Sequence, residues 1–170
     1  MSIHDLVQDC LARGDLFLLD PLDPHTPRVR IIYLSQPVKE FIENPTMRRV
    51  GQLHADLDLF IGGGIITVSM IPYRAGKSYM GLLDPPNDGI WDIRSRDPSP
   101  ALRLLGGFAK KDVFVGLILR ERKLLDVGKS REWSVAIGEC KTEWRNRFLA
   151  YKPLCGDNFH DYLSNCTSVD

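Results

Sequence analysis

Residues 89–119 read GIWDIRSRDPSPALRLLGGFAKKDVFVGLIL and contain three apolar segments, at 90–95, 102–108 and 113–119. The first segment alternates between apolar and polar residues, whereas the other two are almost wholly apolar. The turn sequences Asp-Pro-Ser-Pro and Lys-Lys-Asp join them. Consecutive strands connected by turns this short predict an antiparallel meander.

The alternation in the first of these strands separates its side chains into two groups. Asp92 and Arg94 are two residues apart, so they share one face of the predicted strand, and Trp91 and Ile93 share the other. A salt bridge between Asp92 and Arg94 is therefore one expectation for this strand. A functional role for Arg94 is the competing expectation.

Upstream of the meander the sequence predicts a strand and a helical hairpin. The segment VRIIYL at 29–34 is rich in β-branched residues, which favours a strand. Pro37 suits the first turn of the helix that follows. A second helix is predicted to start near Thr46. Its apolar residues recur at helical spacing and it ends at three glycines, 62–64. A further strand is predicted at 65–71.

Downstream of the meander a long helix is predicted from about Ser130 to Phe148. Its apolar residues share one face, which predicts that they are buried: Trp133, Ala136, Ile137, Cys140, Trp144 and Phe148. We expect an α+β fold in which residues 29–148 form one antiparallel sheet. The helical hairpin lies on one side of this sheet and the long helix packs nearby.

The two ends of the chain lie outside this predicted core. Residues 1–28 form an N-terminal extension with a helix at 2–13, capped by Ser2 and Asp5 and stopped by Gly14, then a strand at 15–20. Residues 149–170 form a C-terminal tail, loop-like apart from a short element near 159–163. No linker divides the 170 residues, so we expect a single domain.

Composition limits the class of protein. A hydrophobic content of 44% and a charged content of 26% are typical of a globular domain. No apolar run is long enough to span a membrane, and the start of the chain is polar and acidic, so we expect a cytoplasmic protein without membrane contact. The four cysteines form no CxxC pair and are expected to be free thiols. We expect no cofactor. We also expect no metal, because structural zinc requires four ligands at tighter spacing than Cys155, His160 and Cys166 have.

Charge is balanced over the chain but unevenly distributed along it. The formal net charge is zero, which disfavours a strongly basic nucleic-acid binder. Residues 1–89 contain 8 Lys or Arg and 11 Asp or Glu, whereas residues 90–152 contain 14 and 8. This asymmetry would suit an anionic partner. A random surface distribution explains it equally well.

Familiar catalytic motifs are absent or incomplete in the sequence. The triplets Gly-Lys-Ser at 76–78 and 128–130 lack the earlier glycine of a phosphate-binding loop. His54 lies beside the apolar stripe of the second hairpin helix, where a structural role is the simpler interpretation. His160 could act as an acid or base, although a solvated loop histidine is the simpler interpretation there too.

The order of strand, helical hairpin, meander and helix resembles the RelE/HigB superfamily of ribosome-dependent endoribonuclease toxins. The similar stretches are VRIIYLSQPVKEFIENP, MRRVGQLHADLDLF, DGIWDIRSRDPSPALRLLGGFAKKDVFVGL and EWSVAIGECKTEWRNRF. The resemblance covers residues 29–148. It implies a RelE-like fold, a metal-independent endoribonuclease that acts on mRNA at the ribosome, and a protein antitoxin as partner.

The resemblance also implies which residues act. Positions that look like the basic positions of the family make Arg94, Arg103 and Arg122 the candidate catalytic residues. Candidate substrate-binding residues are also basic: Lys110, Lys111, Arg120 and Lys123. Arginine suits such a site because its planar fork binds two phosphate oxygens and keeps its charge.

Two alternatives to a catalytic toxin stay open at this point. The first is a non-catalytic protein-binding module of the same fold, which the neutral charge and the few acid/base groups favour. The second is a phage or mobile-element protein whose strand order coincides by chance. The positions of the three candidate catalytic arginines discriminate among these hypotheses. Convergence on a concave face favours catalysis, and pairing to carboxylates favours the alternatives.

Overall fold

Eight strands form one mixed sheet in the computed structural model, which describes residues 1–44, 46, 49–74, 76–127 and 129–170. The strands are β1 (Leu16–Leu18), β2 (Ile31–Ser35), β3 (Ile66–Ser69), β4 (Met80–Leu82), β5 (Ile90–Ser95), β6 (Leu102–Lys110), β7 (Val113–Glu121) and β8 (Cys166–Ser168). The helices are α1 (Ile3–Arg13), α2 (Gln36–Ile42), α3 (Val50–Ile61), α4 (Arg131–Phe148) and α5 (Phe159–Tyr162). Pro86–Asp88 and Arg122–Leu125 form 3₁₀ turns.

The strands follow the order β1-β2-β7-β6-β5-β4-β3-β8 across the sheet. The antiparallel meander is confirmed for β5, β6 and β7, and β4 extends it by one antiparallel pairing. The expectation of a wholly antiparallel sheet is wrong. β2 pairs with β7, β3 with β4 and β3 with β8 in parallel. Parallel neighbours need crossover connections. The connections from β2 to β7 and from β3 to β8 contain helices, whereas β3 and β4 are joined by the segment 70–79, whose described residues form no helix.

Both ends of the chain join this sheet. β1, from the predicted N-terminal extension, forms one edge, and β8, from the predicted tail, forms the other. The sheet is therefore larger than the meander that the sequence predicts. β4 has only three residues, too few for hydrophobic periodicity to reveal it.

The sheet is covered by helices on both faces, which gives the molecule two apolar layers. α2, α3 and α5 pack on one face, where Trp91, Phe108 and Phe114 are buried. α1 and α4 pack on the opposite face. The prediction that Trp133 and Trp144 are buried there is confirmed, since they are 8% and 1% exposed. Burial on both faces explains why β6 and β7 are apolar almost throughout.

Helix ends follow local sequence signals closely. Ser2 and Asp5 form the predicted capping box, and Gly14 ends α1 with a φ of +74°, a left-handed conformation that glycine adopts without strain. Ser130 caps α4 by accepting a hydrogen bond from the backbone N–H of Trp133 at 3.2 Å.

α3 begins at Val50 rather than near Thr46. Met47 and Arg48, which the predicted start would include, lie outside the described residues.

Among the described residues, no helix combines the length and the apolar character that a membrane crossing requires.

Candidate functional site

A concavity of about 310 Å³ opens on the α4 side of the sheet, where β5 and β6 meet the loop between β3 and β4. We call it the arginine concavity. Its charged lining consists of five arginines and two aspartates, which leaves three positive charges in excess. Two aromatic residues also line it. These nine residues are Arg74, Arg94, Arg96, Arg103, Arg122, Asp84, Asp92, Tyr73 and Trp133.

Asp92 lies at the floor of the arginine concavity and organises it. This side chain is 1% exposed and lies on the α4 side of the sheet together with Arg94, which shares its face as the alternation in β5 predicts. Its Oδ1 accepts hydrogen bonds from Arg94 Nε and from the backbone N–H of Gly81, both at 3.1 Å. Its Oδ2 lies 3.3 Å from Arg103 Nε. One carboxylate therefore holds two guanidinium groups and neutralises only one of them.

Arg103 is the most enclosed of the five arginines, with 8% of its surface exposed. Its Nη1 donates to the carbonyl of Leu102 at 3.0 Å. Burial is the main cause that lowers the pKa of Arg103 to about 10; Asp92 opposes this shift, and the charges of the nearby arginines add to it. A charge held under these conditions gains more from an entering anion than an exposed arginine would.

Arg94 and Arg96 project from the end of β5 towards the loop between β3 and β4. Arg94 Nη1 donates to Ser78 Oγ at 2.6 Å, and Arg96 Nη2 donates to the carbonyl of Gly76 at 2.6 Å. Burial and the charge of Arg94 lower the pKa of Arg96. A β-carbon at Gly81 would overlap the guanidinium of Arg94, so this glycine leaves the space that Arg94 occupies.

The opposite wall of the arginine concavity combines cations with aromatic rings. Arg122, in the 3₁₀ turn after β7, lies with its guanidinium carbon 5.9 Å from the centre of the Trp133 ring. The Tyr73 hydroxyl donates to Asp84 Oδ2 at 3.0 Å, and the pKa of Tyr73 is raised by partial burial and by this contact. Arg74 lies 3.7 Å from Asp170. Asp84 is exposed, so its carboxylate is accessible at the mouth.

The structure brings the three candidate catalytic arginines together and leaves the four candidate substrate-binding residues elsewhere. Arg94, Arg103 and Arg122 all line the arginine concavity. Arg120 is the cross-strand neighbour of Arg103 but pairs with Glu139 of α4. Lys123 pairs with Glu121 at 3.0 Å. The other two, Lys110 and Lys111, lie at the opposite end of β6 from Arg103, at the hairpin turn.

Sequence reasoning missed several residues of the arginine concavity. Arg96 had a usable signal, because it continues the spacing of two that links Asp92 and Arg94. Arg74, Tyr73 and Asp84 had none, since they come from irregular segments that only the folded chain places beside β5 and β6. The predicted ion pair between Asp92 and Arg94 is present.

The histidines and cysteines lie apart from this site. No histidine is among the described side chains that line the arginine concavity. His54 Nε2 lies 3.0 Å from the carbonyl oxygen of Asp20, and His160 Nδ1 lies 4.0 Å from Cys166 Sγ. Across the described ranges, no three His, Cys, Asp or Glu side chains converge as metal ligands would.

No protein-family model, no curated protein and no solved structure matches the chain.

Proposed function

We propose that this protein binds RNA and cleaves it, using the arginine concavity to hold the phosphodiester at which cleavage occurs. The observation that supports this most strongly is the convergence of five arginines on one concavity in a chain whose net charge is zero. Concentrated positive charge at an enclosed site is what a phosphate and its more highly charged transition state require.

The chemistry needs few groups. The 2′-hydroxyl oxygen attacks the adjacent phosphorus, the bond from phosphorus to the 5′-oxygen breaks, and the products are a 2′,3′-cyclic phosphate and a 5′-hydroxyl. Arg94, Arg103 and Arg122 stabilise the added negative charge on the phosphoryl oxygens. Asp84 accepts the proton of the 2′-hydroxyl. Water at the open mouth protonates the departing oxygen, and no metal takes part in this scheme.

The order of elements also favours this proposal. Between Ile31 and Phe148 the chain contains a strand, two helices, an antiparallel meander and a helix, which is the order on which the resemblance to RelE/HigB toxins rests. That resemblance makes ribosome-bound mRNA the expected substrate and a protein antitoxin the expected partner. β3, β4 and the two edge strands add to that order.

The test is cleavage of single-stranded RNA, free and bound to ribosomes, by the purified protein. Arg103→Met should reduce the rate by about 10²-fold or more, because it removes a charge that acts on the transition state. Lys110→Met, at the far end of β6, is the matched control and should retain the wild-type rate. A 2′-deoxy residue at the cleaved position should block the reaction. If the wild-type protein cleaves neither RNA sample, the proposed activity is excluded.

A non-catalytic protein-binding module is the second candidate, and two observations favour it. Arg94 and Arg103 are both ion-paired to buried Asp92, as residues that only stabilise the fold would be. A groove of about 510 Å³ lies between α2, β7 and the 3₁₀ turn after β7. Leu124 lines this groove and is 60% exposed. Two results together would favour this module over the nuclease. Expression of the protein would not arrest growth, and Leu124→Glu would abolish the binding of a protein ligand.

A further inference from the structure

A second concavity of about 420 Å³ adjoins the arginine concavity at the end of β5. We call it the flanking concavity. Its walls come from α3, from the start of β3 and from the residues just before β4. The lining residues used below are Gln52, Leu59, Ile65, Lys77, Tyr79 and Arg96.

Two arginines connect the two concavities. Arg94 and Arg96 line both of them. The segment 76–78, which binds these arginines, lies over the junction and exposes Lys77 to solvent. A negatively charged chain leaving the arginine concavity would therefore pass three cations as it entered the flanking concavity, whose lining also includes the carboxylates of Asp56 and Asp97. The junction suits the backbone of a polyanion better than it suits an isolated phosphate.

The flanking concavity adds an apolar surface to these cations. Ile65 is 75% exposed and Leu59 is 47% exposed, although both are large aliphatic residues. Tyr79 lines the same concavity and is held in place by a hydrogen bond from its hydroxyl to the carbonyl of Asp56 at 2.5 Å. Gln52 supplies an amide beside them, with its Nε2 donating to Asp56 Oδ1 at 2.9 Å. A flat ring with polar edges would cover this apolar surface and form a hydrogen bond with the amide. A nucleobase has this combination of a flat ring and polar edges.

We propose that the flanking concavity is a binding subsite for the nucleoside next to the phosphate held in the arginine concavity. The inference rests on the proposed function and extends it to the form of the substrate. A base can reach Leu59 and Ile65 only when it is unstacked and unpaired, so the ligand is a single-stranded segment of at least two nucleotides across Arg94 and Arg96.

The test compares a ligand that has bases with one that has charge alone. Fluorescence anisotropy measures the affinity of labelled 2′-O-methyl hexaadenylate, which cannot be cleaved, and competition against it measures pyrophosphate. The variant is Leu59→Asn with Ile65→Asn, which removes apolar surface without changing charge. Leu18→Asn is the matched control, because Leu18 is 43% exposed and lies in β1 at the other edge region of the sheet.

The double variant should bind the hexanucleotide about 5- to 100-fold more weakly than the wild type, the range expected for loss of base stacking. Its affinity for pyrophosphate and its melting temperature should stay close to those of the Leu18→Asn control. Equal hexanucleotide affinity in the two variants would overturn the subsite, while RNA cleavage by the wild type would leave the proposed function standing. If the wild-type protein bound a duplex of the same length as tightly as the single-stranded hexanucleotide, the subsite would also be overturned. A wild-type protein that neither binds the hexanucleotide nor cleaves RNA would remove both proposals.

Discussion

Asp92 is the side chain on which the geometry of the arginine concavity most directly depends. It is buried and holds Arg94 and Arg103 through its two oxygens. Its neighbours Arg96 and Arg122 add further positive charge to the same space. The residue therefore positions the arginines, whereas the arginines would contact the ligand.

Asp92→Asn should lower the free energy of unfolding by roughly 3 kcal/mol, because it leaves two enclosed guanidinium groups with one neutral partner. Urea denaturation measures this loss. Added pyrophosphate should restore part of it, since a bound anion replaces the missing charge. Asp84→Asn is the control, because Asp84 is exposed and should change stability little. Equal stability of the two variants would show that Asp92 does not balance the arginines.

The buried thiol of Cys140, in α4, makes the stability of the protein depend on pH in the alkaline range. Burial raises the pKa of this thiol to about 12 from an ordinary value of 9.0, and the side chain is 0% exposed. The folded state holds the proton more tightly than the unfolded state, so the stabilising effect is complete below pH 9.0 and is lost as pH rises towards 12.

We expect the free energy of unfolding to fall between about pH 9 and 11. The fall should be smaller in Cys140→Ala, by roughly 2 kcal/mol at the upper end. Urea denaturation at a series of pH values provides the measurement. Cys155→Ala removes an exposed thiol whose pKa burial raises by less, so its curve should stay much closer to that of the wild type. Identical slopes for Cys140→Ala and wild type would contradict the role assigned to the buried thiol.

At the scale of single elements, β4 shows how a short strand shapes a site. It lies between β3 and β5, and its middle residue, Gly81, faces the side chains of Asp92 and Arg94. A side chain on this residue would compete with Arg94 for space. The absence of a β-carbon at Gly81 therefore leaves room for the Arg94 side chain of the neighbouring strand β5.

Gly81→Ala should weaken pyrophosphate binding about tenfold, the effect of losing one charge-assisted hydrogen bond. Stability should fall by less than in Asp92→Asn, because the displaced group is the end of the Arg94 side chain and Asp92 keeps Arg103 as a partner. Gly138→Ala in α4 is the control, since no atom lies within 4 Å of the added carbon. It should raise the free energy of unfolding by about 0.5–1 kcal/mol and leave pyrophosphate affinity unchanged. Unchanged affinity in Gly81→Ala would argue against a ligand contact by Arg94.

At the scale of the whole molecule, Arg30 joins segments that are distant in sequence. Its guanidinium is 0% exposed and donates to carbonyl oxygens at the end of α3 and in the segment before β8. Arg30 Nε also lies 3.7 Å from Asp112, in the turn between β6 and β7. One side chain just before β2 thus connects the end of α3, the turn between β6 and β7 and the segment before β8.

Arg30→Met should lower the free energy of unfolding by roughly 3 kcal/mol or more, because several buried carbonyl groups lose their donor. Hydrogen exchange should accelerate most in β8 and in the residues just before it. Arg28→Met is the control, because Arg28 pairs with the exposed Asp20 and should cost about 1 kcal/mol or less. Equal hydrogen-exchange rates in Arg30→Met and Arg28→Met would show that Arg30 does not hold the C-terminal segment in place.

Local sequence signals predicted most of the elements and part of the arginine concavity. Capping by Ser2 and the end of α1 at Gly14 depend on residues within one helical turn, so they could be read directly. The alternation in β5 likewise predicted that Asp92 and Arg94 share a face. The resemblance to a family selected Arg94, Arg103 and Arg122, which lie together in the structure.

The sequence by itself determined where most helices and strands form, because periodicity and capping involve neighbours along the chain. Only the tertiary structure decided that β2 lies parallel to β7, that β8 completes the sheet, and that Arg74 joins Arg96 at one concavity. These features depend on contacts between residues far apart in the chain. Such contacts form when apolar faces of different elements are buried together, and no short stretch of sequence encodes which faces will meet.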